Sequence, residues 1–176
     1  MSEEAVKENP MRRIRIAHVV VHSCAGRPSE IERAVKIIEQ LTGQRPSIRR
    51  AKRTIRGFGI QRGDPIAVMV TLRREKALAF LQRALEAKDY KLPASCFDET
   101  GGFAFGFKDQ LELPGTKYDP NLGVIGFDVI VRLERPGFRV ARRKRRRSKI
   151  GRKHRITRKE AIEWVKKELG VRVLGE

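Results

Sequence analysis

Three observations in the sequence predict an α+β fold. Several segments alternate apolar with polar or small residues at the two-residue period of a strand. Others repeat apolar residues at helical spacing, two of them behind capping signatures. Both kinds are interleaved along a chain of 176 residues. That length can bury a real core, and the 40% hydrophobic content is ordinary for a globular domain. One compact domain over residues 14–176 is expected, preceded by a loose mixed-charge arm over residues 1–13.

The elements follow in order. Ile14 to Val21 is rich in β-branched residues and alternates, so the domain opens on a strand, which Arg27 and Pro28 break. Ser29 with Glu32 has the form of a capping box, and Ile31, Ala34, Val35, Ile38 and Leu41 mark one face of a helix that Gly43 ends. Pro46 to Arg50 reads as a short strand. A longer one follows, in which Ile66, Val68, Val70 and Leu72 alternate with Ala67, Met69 and Thr71. Arg74 to Ala87 places Ala77, Leu78, Leu81, Ala84 and Leu85 at helical spacing. Phe103, Phe105 and Phe107 project from one side of a strand, and Phe127, Val129, Val131 and Leu133 repeat that pattern. Core packing is the expectation for the phenylalanine row over a base-stacking platform, because basic residues are scarce beside it. Thr157 and Glu160 form a second capping box before Ala161, Ile162, Val165 and Leu169, a helix closed by Gly170, and Val171 to Leu174 adds an edge strand.

The formal net charge is +19 and the pI about 10.9. Such self-repulsion destabilises a compact state unless something anionic neutralises it, which points to nucleic acid. A membrane surface would require a basic helix with an opposite apolar face, and the densest basic run has none, so no membrane partner is expected. Cys24 and Cys96 are the only cysteines. They form no CxxC and lie near no paired histidines, so neither a zinc site nor a disulfide framework is indicated and no metal or cofactor is expected. The acidic, polar N-terminus does not read as a signal peptide, which suggests a soluble protein of a reducing compartment. Two asparagines beside heavy Arg, Lys and Glu use is a composition common in thermophiles.

Charge is concentrated in two places. Across Leu41 to Arg73, the cations Arg45, Arg49, Arg50, Lys52, Arg53, Arg56, Arg62 and Arg73 face the single acid Asp64. Gly57, Gly59 and Gly63 let the backbone approach a ligand closely. Phe58 among them either folds into the core or stacks on a base, and spacing alone leaves both open. Between Arg139 and Arg158 stand twelve Lys or Arg and no acid, with Arg142, Arg143, Lys144, Arg145, Arg146 and Arg147 unbroken. Left alone such a run is expected to be extended or disordered and to order only against phosphates. By contrast, Lys88 to Arg135 carries six Lys or Arg against eight Asp or Glu, as suits scaffold or a protein-facing surface.

Other classes fare worse. His18, His22, Cys24, Asp98 and Glu99 are the best material for an enzyme, yet they form no recognisable catalytic constellation. Gly57-Phe58-Gly59 lacks the downstream Lys-Ser/Thr of a phosphate-binding loop, so no small-molecule nucleotide site is indicated. A free-standing DNA or RNA binder fits the composition but has no helix-turn-helix spacing or zinc ligands. A nuclear-localisation reading of the basic block is satisfied equally by an RNA arm.

Taken together, Leu41-Thr42-Gly43-Gln44-Arg45-Pro46, Ala51-Lys52-Arg53, Gly57-Phe58 and Val70-Thr71-Leu72-Arg73 resemble the family of large ribosomal subunit protein five, which binds 5S rRNA. Thr100 to Gly106, Tyr118-Asp119-Pro120 with Gly123 and Gly126, and Arg135-Pro136-Gly137 before Arg139-Val140 are similar to its archaeal and eukaryotic branch. The resemblance spans about Ile14 to Leu174.

It implies a mainly antiparallel sheet with helices packed on one face, no catalysis, and a place in the central protuberance of the cytoplasmic ribosome. By motif it implies that His22, Gln44, Phe58 and Thr71 contact 5S rRNA, with Arg45 and Arg73 fixing register through phosphates. The loop bearing Lys52, Arg53, Arg56 and Arg62 is similar to one that approaches peptidyl-site tRNA, and sequence-blind phosphate contacts suit such a partner. The arm, through Arg139, Arg142, Arg143, Lys144, Arg145, Arg146, Arg147, Lys149, Arg152 and Lys153, is expected to anchor large-subunit rRNA. A small-subunit head protein across a subunit bridge is a further implied partner of the middle segment. The chain departs from the family where Ser23-Cys24-Ala25 follows His22 in place of a hydrophobic, glycine-rich stretch.

Overall fold

The structure is a computed structural model that describes residues 9–24, 26 and 28–175, with the side chains of residues 28 and 29 excepted. Residues 1–8 of the expected N-terminal arm, the capping role of Ser29, and the Arg27 and Ala25 positions therefore lie outside the described residues.

The chain runs β1 (Arg15–Cys24), α1 (Pro28–Thr42), β2 (Ser47–Arg50), β3 (Pro65–Leu72), α2 (Arg74–Glu86), β4 (Lys91–Pro93), β5 (Gly102–Phe107), β6 (Phe127–Glu134), α3 (Arg139–Arg142), α4 (Arg158–Leu169) and β7 (Arg172–Leu174). Five strands form one sheet in the order β2-β3-β1-β6-β5, and every neighbouring pair is antiparallel. The expected α+β class and antiparallel sheet are both present.

Alternation decides which face is buried. Val19 and Val21 of β1, Val68, Val70 and Leu72 of β3, the three phenylalanines of β5 and Phe127, Val129, Val131 and Leu133 of β6 all enter one core. The phenylalanine row is core, as expected. Its rings continue into neighbours on both sides, with Phe97 5.3 Å from Phe103 and Phe127 5.0 Å from Phe107. The helices cover this face through Ile31, Ala34, Ile37, Ile38 and Leu41 of α1, Ala77, Phe80, Leu81, Ala84 and Leu85 of α2, and Ala161, Ile162 and Val165 of α4. Trp164 packs partly buried at the rim.

Three expectations are corrected. In α2 the inward face takes Phe80, while Leu78 is 45% exposed. Leu78 sits about 100° round the helix from Ala77, whereas Phe80 continues the i, i+3, i+4 stripe. The C-terminal strand does not extend the main sheet. After Gly170 the chain turns beside Tyr90, whose carbonyl accepts from Arg172 N–H at 2.7 Å, and β7 forms a separate parallel ribbon with β4.

The third correction concerns the conformation of the basic arm, a loop within the domain that is closed by turns rather than extended or disordered. Its first residues form the turn of α3, Ser148 N–H donates to the Val140 carbonyl at 3.3 Å, and Arg143 Nε donates to the Arg146 carbonyl at 2.7 Å. Acids and carbonyls of the body hold its two ends. Arg142 pairs with Glu134, and the His154 ring meets the Pro136 carbonyl at 2.7 Å. Arg135, buried at the end of β6, places Nη2 2.8 Å from Glu160 Oε1 and directs Nη1 at the Lys153 and Arg155 carbonyls, each 3.5 Å away. Gly101 completes the seat. At its φ of +78° an added Cβ would lie 2.7 Å from Ile156 Cβ, so only glycine lets the residue at the end of the arm pack down.

The Arg135–Glu160 pair anchors both the arm and the capping box of α4, in which Thr157 and Glu160 bond reciprocally. Burial pushes the Glu160 carboxyl up, but the Thr157 amide and Arg135 outweigh it and hold the group below its ordinary 4.5. Its contribution is therefore present above that value and lost as pH falls through the lower folded one. Arg135→Met is expected to cost about 2 to 3 kcal/mol, the low side for a broken buried pair because Glu160 can still reach water. Chemical denaturation at pH 7 and pH 4 checks this, and the variant should show the smaller loss between the two.

Candidate nucleic-acid interface

The helices α1, α2 and α4 lie on one side, so most of the other face carries side chains with no helix of the described residues above them, and the basic arm approaches it at the Arg132 corner. The register sets Ser47, Met69, His22, Asp128 and Gly106 in one row across it, and Thr71, Val20, Ile130 and Ala104 in the next. His18, Arg132 and Gly102 form a third row. Arg73, one residue past the Val19–Leu72 pair, extends it at the β3 end. His22, Val20, Met69 and Thr71 are half-buried, and Ile130 is 41% exposed.

Two of the motif-assigned residues, His22 and Thr71, thus share this face as diagonal neighbours across the β1–β3 ladder. Gln44 joins them from the loop after α1. Arg83 reaches over to the Leu41 carbonyl at 2.9 Å, Gly43 closes the helix by donating to Glu39, and Gln44 Nε2 then lies 3.5 Å from the Thr71 carbonyl. Arg45 and Arg73 are exposed beside it.

Phe58 is placed apart from that group. The chain between β2 and β3 closes on itself as a hairpin, with Ala51 N–H donating to Asp64, Gly63 N–H to Ala51, and Ile55 bridging Ile60. The lone acid, Asp64, accepts from Gln61 N–H at 2.7 Å, so it braces the turn. At the tip, Arg56–Phe58 makes a single 3-10 turn stopped by Gly59 at φ 66°, a left-handed conformation that glycine adopts without strain. Phe58 is 80% exposed, which removes it from the core. Lys52, Arg53, Arg56 and Arg62 are exposed around it. The hairpin leaves the sheet at the Pro65 end of β3 and Gln44 sits at the Thr71 end, roughly 20 Å along the strand. A single bound object must be long to touch both.

The arm supplies a third cationic region. Arg143, Lys144, Arg145, Arg146, Arg147, Lys149, Arg152 and Lys153 are exposed, as are Arg139 and Arg142 nearer the body. Among the described residues, only Arg142 of these last two has a carboxylate partner.

Sequence reasoning missed the row of Arg73, His18 and Arg132. Off-face alternation in β1 and β6 was visible, but which residues lie side by side depends on a register the sequence does not state. Burial, then Arg142, Arg73 and Arg132, all push the His18 imidazole below its ordinary 6.5, so it is a neutral ring among guanidiniums. Cys24 Sγ lies 3.9 Å from the His22 ring nitrogens, with no third group among the described residues hydrogen-bonded to either side chain to orient them as a catalytic pair. No group of three or more His, Cys, Asp or Glu able to hold a metal exists among the described residues, and no helix among them is long and apolar enough to cross a membrane.

An uncovered sheet face flanked by two cationic projections defines a nucleic-acid-binding protein. Comparison with known proteins makes the class specific. Residues 9–61 match the family model described as ribosomal protein L5, and residues 65–164 match the model of the same ribosomal family's C-terminus. The large ribosomal subunit protein uL5 of Pyrobaculum aerophilum is 49% identical over 169 residues, 96% of this chain and 94% of that protein. The Aeropyrum pernix protein of the same name is 48% identical over 94% of this chain and 87% of its own length. That of Sulfolobus acidocaldarius is 40% identical over 98% and 97%. The chain belongs to the ribosomal protein L5 family, and these relatives place it with the archaeal uL5 proteins. It is a structural constituent of the ribosome, working where ribosomes work, in the cytoplasm, and not an enzyme.

Two outcomes follow for the free protein. NMR titration should give His18 a pKa below 6.5, and stability should fall as pH drops below that value, because the unfolded chain takes up the proton first; His18→Gln should flatten that slope. Phe58→Ala should leave the melting temperature unchanged, because the ring is 80% exposed and contributes nothing to the core.

Proposed function

We propose that this chain holds 5S rRNA against large-subunit rRNA in the central protuberance of the large subunit. The observation that carries the reading is the helix-free sheet face on which His22, Thr71 and, through the Thr71 carbonyl, Gln44 converge. A sheet face of this kind offers an imidazole, a hydroxyl and an amide to ribose hydroxyls and base edges, which duplex DNA does not present in the same way. Arg45 and Arg73 at its margin set register on phosphates.

The hairpin is the element for peptidyl-site tRNA. It has a braced backbone and four exposed cations, Lys52, Arg53, Arg56 and Arg62, so it can press on a tRNA backbone without reading its sequence, while the bare Phe58 ring at its tip is the stacking contact for 5S rRNA. The arm, through Arg139, the block from Arg142 to Arg147, Lys149, Arg152 and Lys153, grips large-subunit rRNA. The segment from Lys88 to Arg135, less basic and outside both cationic projections, is the surface for the small-subunit head protein.

Binding of the full chain to 5S rRNA, tRNA and duplex DNA at about 150 to 300 mM salt tests the reading, since non-specific phosphate contacts weaken over that range. 5S rRNA should be preferred, and the double variant Gln44→Ala, Thr71→Ala should lose about tenfold or more on it alone, as removal of base-edge and ribose contacts predicts. With about six to ten phosphates neutralised, the logarithmic salt slope on RNA should be on the order of −5 to −8. Equal binding to all three polymers, unchanged in the variant, would leave a sequence-blind nucleic-acid binder and sink the 5S assignment.

A further inference from the structure

A cleft of about 590 Å³ opens between the basic arm and the corner of the sheet where β5 and β6 meet. That volume falls within the ~300–1,000 Å³ of small-molecule sites. Its walls divide by chemistry. Phe138, Ala141, Ile150 and Ile156 contribute apolar surface, and Ile156 is 2% exposed and held down at Gly101. The rim carries Arg132, Arg147, Lys149 and Arg155, with the hydroxyls of Thr100 and Ser148 between them, and no acid lines it.

The cations are set for an incoming anion. Thr100 Oγ1 accepts from Arg132 Nη1 at 2.7 Å and itself donates to Asp98, which lies 4.0 Å from Arg132, so the guanidinium is held in place from behind with one carboxylate already beside it. Arg155 is tied to the Ile150 carbonyl through Nε at 3.2 Å, which fixes its plane and leaves its outer nitrogens directed elsewhere. Arg147 and Lys149 make no hydrogen bond or ion pair with any described residue. Phosphates alone would use the rim and leave the floor idle. A duplex could do no more, because its bases face inward. Only a ligand with a flat apolar part and an attached phosphate engages both.

We propose that this cleft receives one unstacked nucleotide of an RNA, its base on the apolar floor and its phosphate among Arg132, Arg147, Lys149 and Arg155. The inference rests on the reading of the arm as an RNA anchor and adds what the arm selects: an extruded residue rather than a continuous helix. An unpaired base costs least to extrude, so a bulge or loop is the natural donor.

The test uses the full chain and four probes: a fully paired RNA hairpin, the same hairpin with one bulged 2-aminopurine, a short single strand, and free AMP. The bulged hairpin should bind at least tenfold tighter than the paired one, with a change in 2-aminopurine fluorescence as the base docks. Ala141→Phe fills the cleft without altering charge and should erase that preference while leaving affinity for the paired hairpin unchanged. Ser148→Phe fills it from the exposed loop and serves the same purpose should the first variant not fold. AMP should bind at least a hundredfold more weakly than the bulged hairpin.

Equal affinity for the two hairpins, or a preference that survives both filling variants, overturns the proposal. AMP binding as tight as the bulged hairpin would assign the cleft to a free nucleotide and overturn the RNA source. The double variant Arg147→Gln, Lys149→Gln keeps the two readings apart. It should weaken all three RNAs. If it weakens none, the arm is not an RNA anchor and the proposal falls with that reading. If it weakens all while wild type shows no bulge preference, the arm reading stands and the cleft proposal alone fails.

Discussion

The sheet can be buried on one side only, and that constraint shapes everything else in the molecule. The helices α1, α2 and α4, and with them the phenylalanine row and the β-branched residues of β1, β3 and β6, are committed to a single core. Among the described residues no helix is left to cover the opposite face. It must be made of side chains that tolerate water when alone and dry contact when occupied, and half-buried His22, Val20, Met69 and Thr71 are of that kind. The same layering fixes where Gln44 sits, because α1 has to end over β3 for its apolar face to pack.

A second consequence concerns charge. At +19 the chain repels itself, yet the densest cations lie on a loop with defined turns. A few carboxylates at the base of that loop do the holding. Glu134 takes Arg142, Glu160 takes Arg135, and Asp98 stands near Arg132. Among the described residues the ion pairs of the arm lie at its roots, which leaves its outer cations exposed. An arm tied in this way gives up less conformational entropy on meeting RNA than an unstructured tail, which favours tighter binding for the same contacts.

Much of this was legible in the sequence. Strand alternation, the Thr157–Glu160 capping box and the apolar helix faces fixed the fold class, because each is a local rule that tertiary packing here reinforces. Of the residues the motifs single out, His22, Gln44 and Thr71 come together at the open face, whereas Phe58 stands apart on the hairpin. Register was not legible. The row of Arg73, His18 and Arg132 exists because β1 lies between β3 and β6, with a slip between Ile16 and His18, and no run of residues within one strand records that order. Phe58 was undecidable for a related reason. A phenyl between glycines packs or points outward according to whether the loop closes, and Ala51, Ile55, Ile60, Gly63 and Asp64 close it through backbone bonds that depend little on side-chain identity.

The edge strand β2 carries a last implication. Its four residues, Ser47 to Arg50, are all exposed, and its pairing with β3 slips between Arg49 and Arg50. A straight, apolar edge would invite another copy to add its own strand and start a growing β-stack. Two arginines and an irregularity on that edge discourage such pairing, by like-charge repulsion and by spoiling the template of free amides and carbonyls. Arg49 and Arg50 thus give the chain's positive charge a second effect, keeping copies of the chain apart as well as adding to its basic surface.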